Sequence, residues 1–198
     1  MHTEPYQLRL AALLNQLTIE EDHMSTKRLL AMLNKLGEEA EAKIANLNSG
    51  GCAVFAAHVG YHLKYRAGLT DVVLRVGHSY ADDEEDIVPI DEARNNLHPN
   101  ANAYEWNRAG LCFGHVILEF KTGKTKPVWR HYDSSGVTGV SNVTNNFGFL
   151  LHPGEMTVEE GLAIAADQAG WNERFDRDQI PTLIRLIDKH FSDYEAHR

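Results

Sequence analysis

Cysteine is scarce in this chain, with two residues in 198. That is too few for a disulfide framework, and it predicts a reducing, cytoplasmic setting. Basic charge is short as well. Nineteen Lys and Arg stand against 28 Asp and Glu, for a formal net charge of −9, and no Lys/Arg cluster rises above the background. A broad nucleic-acid footprint is therefore disfavoured. No run of residues approaches the ~18 apolar positions of a membrane span, so no membrane partner is expected. The first thirty residues carry scattered charges and lack an apolar core followed by small residues, which argues against a secretory signal. Internal repeats and low-complexity tails are also missing. What remains is a chain of ordinary hydrophobic content (43%) and of a length suited to one domain with helical additions. Its charge balance points to a peptide, amide or ester substrate rather than a polyphosphate.

The periodicities divide the chain into three stretches within a single domain: a helical segment over 1–45, a core over 46–150, and helices over 151–198 packed on that core. Leu10, Leu13, Leu14 and Leu17, then Leu29, Leu30, Leu33 and Leu36, predict helix, with Thr18 and Glu21 as a capping box between them. The Asn46–Gly51 stretch is a break. A second helix is predicted from Cys52 to about Arg66, with Gly68 as its C-terminal cap. Asp71–Tyr80, Cys112–Phe120 and Val128–Asp133 predict strands, the last two joined by a hairpin loop over Lys121–Pro127. The acidic run Asp82–Asp86 must be a solvated loop. Asp91–Leu97 predicts a short helical turn, Asn100–Gly110 a loop anchored by Tyr104 and Trp106, and Ser134–Phe149 a Gly/Ser/Asn-rich connection. Thr157 with Glu160 opens a helix that stops near Gly170, and Pro181 begins the last one. The expected fold class is α+β: a helix carrying Cys52 packed on an antiparallel sheet of about four to six strands, flanked by N- and C-terminal helices.

Cys52, His115 and Asp133 are the residues in which this pattern carries chemistry. A thiol at the first turn of a helix sits beside unpaired N–H groups and the positive end of the helix dipole, and both favour the nucleophilic thiolate. The side-chain-free Gly50 and Gly51 let a substrate carbonyl approach. The Cys52 amide is one expected oxyanion donor, with the side chain of Asn46 or Asn48 as the second. Centring the hairpin on Lys124 puts His115 directly opposite Asp133, with Cβ atoms about 4.5–5.5 Å apart. A register slip of two makes them diagonal neighbours still within reach, and a slip of one sends them to opposite faces. The carboxylate then accepts from one imidazole nitrogen and leaves the other facing the sulfur. Cys112 falls on the core side of its strand as an inert thiol. Further candidates are Gly51, Trp106 and His131 for substrate binding, with Tyr104 and Trp129 beside them as an apolar wall.

The run Asn46-Leu47-Asn48-Ser49-Gly50-Gly51-Cys52-Ala53-Val54-Phe55, then Gly114-His115-Val116, then the hairpin to Asp133, resembles the papain-like superfamily in its broad sense. The likeness is nearest to the transglutaminase-like and arylamine-acetyltransferase-like branch, and it spans roughly residues 46–136. It implies that the cysteine opens a helix packed on an antiparallel sheet whose strands carry His and Asp. It further implies Cys52 as nucleophile, His115 as base and then acid, and Asp133 as orienting carboxylate. Papain-type peptidases place a glutamine six residues before the cysteine, and this chain has the shorter Asn46 there. Papain also uses asparagine where this chain has Asp133, which points to the transglutaminase-like side. The implied activity is peptidase- or amidase-type hydrolysis or acyl transfer, without a cofactor or a metal.

Two rival readings compete with it. His58 and His62 share a face of the Cys52 helix and are candidate zinc ligands, but Val59 stands where the metalloprotease motif has its glutamate base. A catalytically degenerate binding or regulatory protein on the same fold is the other. Loops over Tyr80–Gly110 are the expected specificity element.

Overall fold

The structure, a computed structural model, describes residues 25–78, 87–124, 126–139, 150–166 and 175–197. The expectations for Leu10–Leu17, the Thr18–Glu21 box, the Asp82–Asp86 loop, most of the Ser134–Phe149 connection and the stop at Gly170 lie outside those residues.

Helix α1 covers residues 25–43. Leu29, Leu33, Leu36 and Ala40, spaced three or four apart, are buried along one stripe, and Ile44 just beyond the helix continues it. Ala40 and Ile44 carry the apolar stripe through the last part of α1, while Glu38 and residues 41–43 are exposed. A π-helical turn, Leu47–Gly51, leads directly into α2 (Cys52–Tyr65). Helix α2 is buried almost all round, from Cys52 to Ala57 and again at Val59, Gly60, His62 and Leu63. It is the central element of the core, which explains why its residues show no clear amphipathic face. Its C-terminus closes as the sequence predicts, with Gly68 at φ 77° and the Leu69 N–H donating to the Leu63 carbonyl.

The five described strands form one antiparallel sheet in the order β4-β3-β2-β1-β5. These are β1 (Val72–His78), β2 (His115–Thr122), β3 (Val128–Asp133), β4 (Gly136–Gly139) and β5 (Leu150–Leu151). Val72, Leu74 and Val76 of β1 and Val116, Leu118 and Phe120 of β2 join the main core with Phe55 and Leu63 of α2. Tyr132 of β3 packs on Phe55, ring centroids 5.5 Å apart. Two short helices, α3 (Ile90–Asn95) and α4 (Ala103–Arg108), precede β2. The second replaces the loop expected over Asn100–Gly110. Asn102 accepts from the Glu105 N–H while the Glu105 carboxylate accepts from the Asn102 N–H, and this reciprocal cap sustains a six-residue helix that has little apolar periodicity. The same device, Thr157 with Glu160, opens α5 (Val158–Ala166). Helix α6 (Ile180–Ala196) has proline in its first turn and buries Leu183, Leu186, Ile187, His190, Phe191 and Tyr194 on one stripe.

The observed class is therefore α+β, an antiparallel sheet with a central helix and helices flanking it. Among the described residues no helix is long and apolar enough to cross a membrane.

Candidate active site

The β2–β3 hairpin decides whether His115 and Asp133 meet. Its register pairs Leu118 with Tyr132, Glu119 with His131 and Phe120 with Arg130. The hairpin is thus centred on residue 125, one position later than the loop composition implied, and the strands slip by two. His115 and Asp133 are diagonal rather than directly opposed, on the same side of their strands. Side-chain length closes the gap: the His115 Nε2–H donates to Asp133 Oδ2 at 3.1 Å. The other oxygen, Oδ1, accepts the Ser135 N–H at 2.8 Å, a turn in which Asp bonds the amide two residues on. Both carboxylate oxygens are accounted for.

Cys52 lies within interaction range of the same imidazole and favours its protonated form. With Nε2 engaged by Asp133, Nδ1 is the nitrogen left for the sulfur. The three groups are buried: Cys52 is 6% exposed, His115 3% and Asp133 5%. Burial by itself disfavours the imidazolium. Asp133 and Cys52 together outweigh it and push His115 up to about 9. A cationic imidazole beside a thiol at neutral pH is the arrangement that supports thiolate chemistry.

The approach to Cys52 differs from the expectation of a free helix start. Gly51 has αR backbone angles (φ −87°, ψ −10°), and the π-helical turn before it continues into α2 without a break. Helical turns five residues in reach draw amides at this junction into helix bonding, so the Cys52 N–H does not stand at an open N-terminus. Gly51 is buried. A Cβ built there would lie 2.5 Å from Phe175 Cε2 and 3.1 Å from Leu47 Cδ1. Its lack of a side chain makes room for the Phe175 ring rather than for a substrate. We expect Gly51→Ala to destabilise the fold by about 1–3 kcal/mol by overpacking. Without that clash, alanine in this helical backbone would stabilise by about 0.5–1 kcal/mol, so the sign of the change in urea midpoint tests the packing.

The two asparagines part company. Asn46 is exposed and left-handed (φ 57°, ψ 29°) at the start of the π-helical turn. Asn48 is held by other groups: its amide nitrogen donates one N–H to Glu41 Oε1 at 2.8 Å and its oxygen accepts from Ser134 Oγ at 2.6 Å. Trp106 is 2% exposed within the core, so α4 uses its ring as an anchor and not as the wall of an open cleft. His131 is also buried, and its Nε2 lies 2.5 Å from Glu119 Oε1, which ties it to the neighbouring strand rather than to a cleft rim. Trp129 is half-buried, with Lys121 Nζ 4.4 Å above its ring, while Tyr104 is exposed.

His62 has other duties than metal binding. It lies 3.2 Å from Asp188 and stacks on Phe191 at 4.8 Å, joining α2 to α6. Burial lowers both His58 and His62 from the ordinary histidine value. Among the described residues no group of three or more His, Cys, Asp or Glu side chains is placed to hold a metal ion.

Glu41, Ser134 and Ser135 escape a reading of the sequence by spacing alone. The run Asp133-Ser134-Ser135-Gly136 does hold one usable signal, the Asp-initiated turn that fixes Oδ1. The chain matches no family model, and no curated protein or solved structure is detectably similar to it.

Proposed function

We propose that this protein is a cysteine-dependent acyl-transfer enzyme with a Cys52–His115–Asp133 triad, acting by peptidase- or amidase-type hydrolysis or by transglutaminase-like transfer. The observation that carries the reading is the buried imidazole of His115, bonded to Asp133 at 3.1 Å and held protonated by Asp133 and Cys52 together. The chain order Cys, His, Asp and a cysteine on a helix packed against an antiparallel sheet support a papain-like ancestry, nearest the transglutaminase-like and arylamine-acetyltransferase-like branch.

In this reading the Cys52 sulfur, its proton held by His115, attacks the acyl carbon of a peptide, amide or ester. The imidazolium gives that proton to the departing amine or alcohol, leaving a thioester on Cys52. Water or an amine then attacks the thioester as His115 takes its proton, and the sulfur is released. Asp133 holds the ring in the tautomer that presents Nδ1 to the sulfur.

Near-complete burial of the triad favours a second reading, a binding or regulatory protein whose triad no longer turns over. Thiol labelling separates the two. Cys112 is the more exposed of the two cysteines, so exposure alone predicts that it reacts first. We expect iodoacetamide at pH 7 to label Cys52 at least tenfold faster than Cys112, read by peptide mass. Faster labelling of Cys112 would remove the support for an activated thiol.

A further inference from the structure

Helix α1 lies outside the segment that resembles any hydrolase core, yet it grips the turn that bears the carboxylate. The Tyr132 hydroxyl donates to the Leu33 carbonyl at 2.7 Å, and the Val137 N–H donates to Asn34 Oδ1 at 2.8 Å. Gly37 presses its bare backbone on the same turn: a Cβ there would lie 2.6 Å from the Ser134 carbonyl oxygen. One turn further, Glu41 Oε1 accepts from Asn48 Nδ2 at 2.8 Å, lies 3.4 Å from Ser135 Oγ, and at 3.0 Å shares the single Ser134 hydroxyl proton with Asn48 Oδ1, which is 2.6 Å from that hydroxyl. Residues 33, 34, 37 and 41 form one stripe of the helix, at the spacing that places side chains over one another.

The connection runs both ways. Ser134 follows Asp133 in the chain, and Ser135 supplies the N–H that occupies Asp133 Oδ1 and so leaves Oδ2 for His115. Asn48 sits four residues before Cys52, and its amide is held at both ends, by Glu41 and by Ser134. Ser134 is 2% exposed, so a hydroxyl stripped of its partners there would be left unsatisfied. Glu41 is also close enough to the site for its charge, with that of Asp133, to add to burial in pushing the Tyr132 phenol well above its ordinary value.

We propose that Glu41 is a positioning residue: through Asn48 and the Ser134–Ser135 turn it locks the nucleophile loop to the carboxylate turn and so sets the angle at which Asp133 meets His115. The proposal rests on the acyl-transfer reading of the triad and extends it to a helix that no motif assigns to the site. Glu41 touches none of the three groups itself. Its role is to hold the Ser135 amide on Oδ1, and with it the free oxygen on the imidazole.

The test follows the His115 ring of the full-length protein by NMR against pH, in the wild type and in Glu41→Ala, Glu41→Gln and Ser134→Ala. The wild-type ring is expected to titrate near 9. Glu41→Ala and Ser134→Ala should each lower the protonation constant of His115 about tenfold or more and slow iodoacetamide labelling of Cys52. Glu41→Gln keeps an acceptor for Asn48 and Ser134 and should stay near the wild type. Loss of both side chains should do no more than loss of one, since they act through one turn. A folded Glu41→Ala protein whose His115 titrates as in the wild type overturns the proposal and leaves the triad reading standing. A fall in Glu41→Gln as large as that in Glu41→Ala also overturns it. Should Glu41→Ala fail to fold, Ser134→Ala decides the matter by the same readout. A wild-type ring that titrates as an ordinary histidine removes the triad reading and the proposal together.

Discussion

Replacing Cys52 with alanine should abolish acyl transfer, with a loss on the order of 10⁴-fold or more, as removal of a covalent nucleophile does in comparable triads. The fold should survive. Cys52 is 6% exposed, and the substitution removes one sulfur without adding volume; the expected cost is about 1 kcal/mol. His115 would lose one of the two partners that hold its proton, so its titration should move down toward the ordinary histidine range in the same variant. A generic acyl donor such as 4-nitrophenyl acetate allows the measurement without knowledge of the natural substrate. The wild type should give a burst of nitrophenolate equal to the enzyme present and a thioester on Cys52 visible by mass, and Cys52→Ala should give neither. An undiminished burst in that variant would exclude Cys52 as the nucleophile.

The meeting of His115 and Asp133 was legible in the sequence because each lies in a locally strong pattern. Two glycines before an apolar run mark the start of α2 at Cys52, although the chain there is a π-helical turn and not the expected break. The alternation Val116, Leu118, Phe120 marks the strand expected over Cys112–Phe120 and found over His115–Thr122, and the strand Val128–Asp133 keeps its predicted bounds. The register was off by two for a traceable reason. The apolar run of β2 stops at Phe120, but its hydrogen bonding continues to Lys121 and Thr122, which pair with Trp129 and Val128. Two more residues on one arm move the centre of the loop by one, and a strand register by two. A slip of two preserves the face, which is why the pair still meets.

Other features depend on residues far apart in the chain. Asn48 looked like an oxyanion donor because of its distance from Cys52, but its partners, Glu41 and Ser134, arrive from α1 and from the turn after β3. Gly51 looked open because a glycine has no side chain; the ring that fills the gap belongs to Phe175, more than a hundred positions later. Trp106 was placed on a loop because α4 is held by a cap rather than by an apolar stripe. The π-helical turn before Cys52 leaves no periodicity in five residues from which to read it. Local chemistry was readable in each case, and its partners were not.

Asp133→Asn is the sharper probe of the mechanism, because it removes charge and acceptor capacity at one stroke. The aspartate uses both oxygens as acceptors, Oδ1 for the Ser135 N–H and Oδ2 for His115 Nε2–H. Asparagine has one oxygen, so one of those two donors must face an NH2 group. If the turn keeps the oxygen, the imidazole is driven to the tautomer that points its N–H at the sulfur; if the ring keeps it, the turn opens. Either way the rate should fall about 10²–10⁴-fold. The pH dependence gives a second reading of the same change. Because the folded value of His115 is raised from 6.5 to about 9, the stabilisation from its proton is fully present below about 6.5 and is lost as pH rises through about 9. Transfer to a poor leaving group needs that proton, so kcat/KM for an amide substrate should decline on an alkaline limb near 9. Without the carboxylate the limb should move down by at least one pH unit, and the alkaline loss of thermal stability should begin correspondingly earlier. An Asp133→Asn protein with the wild-type limb and rate would show that another group orients the ring.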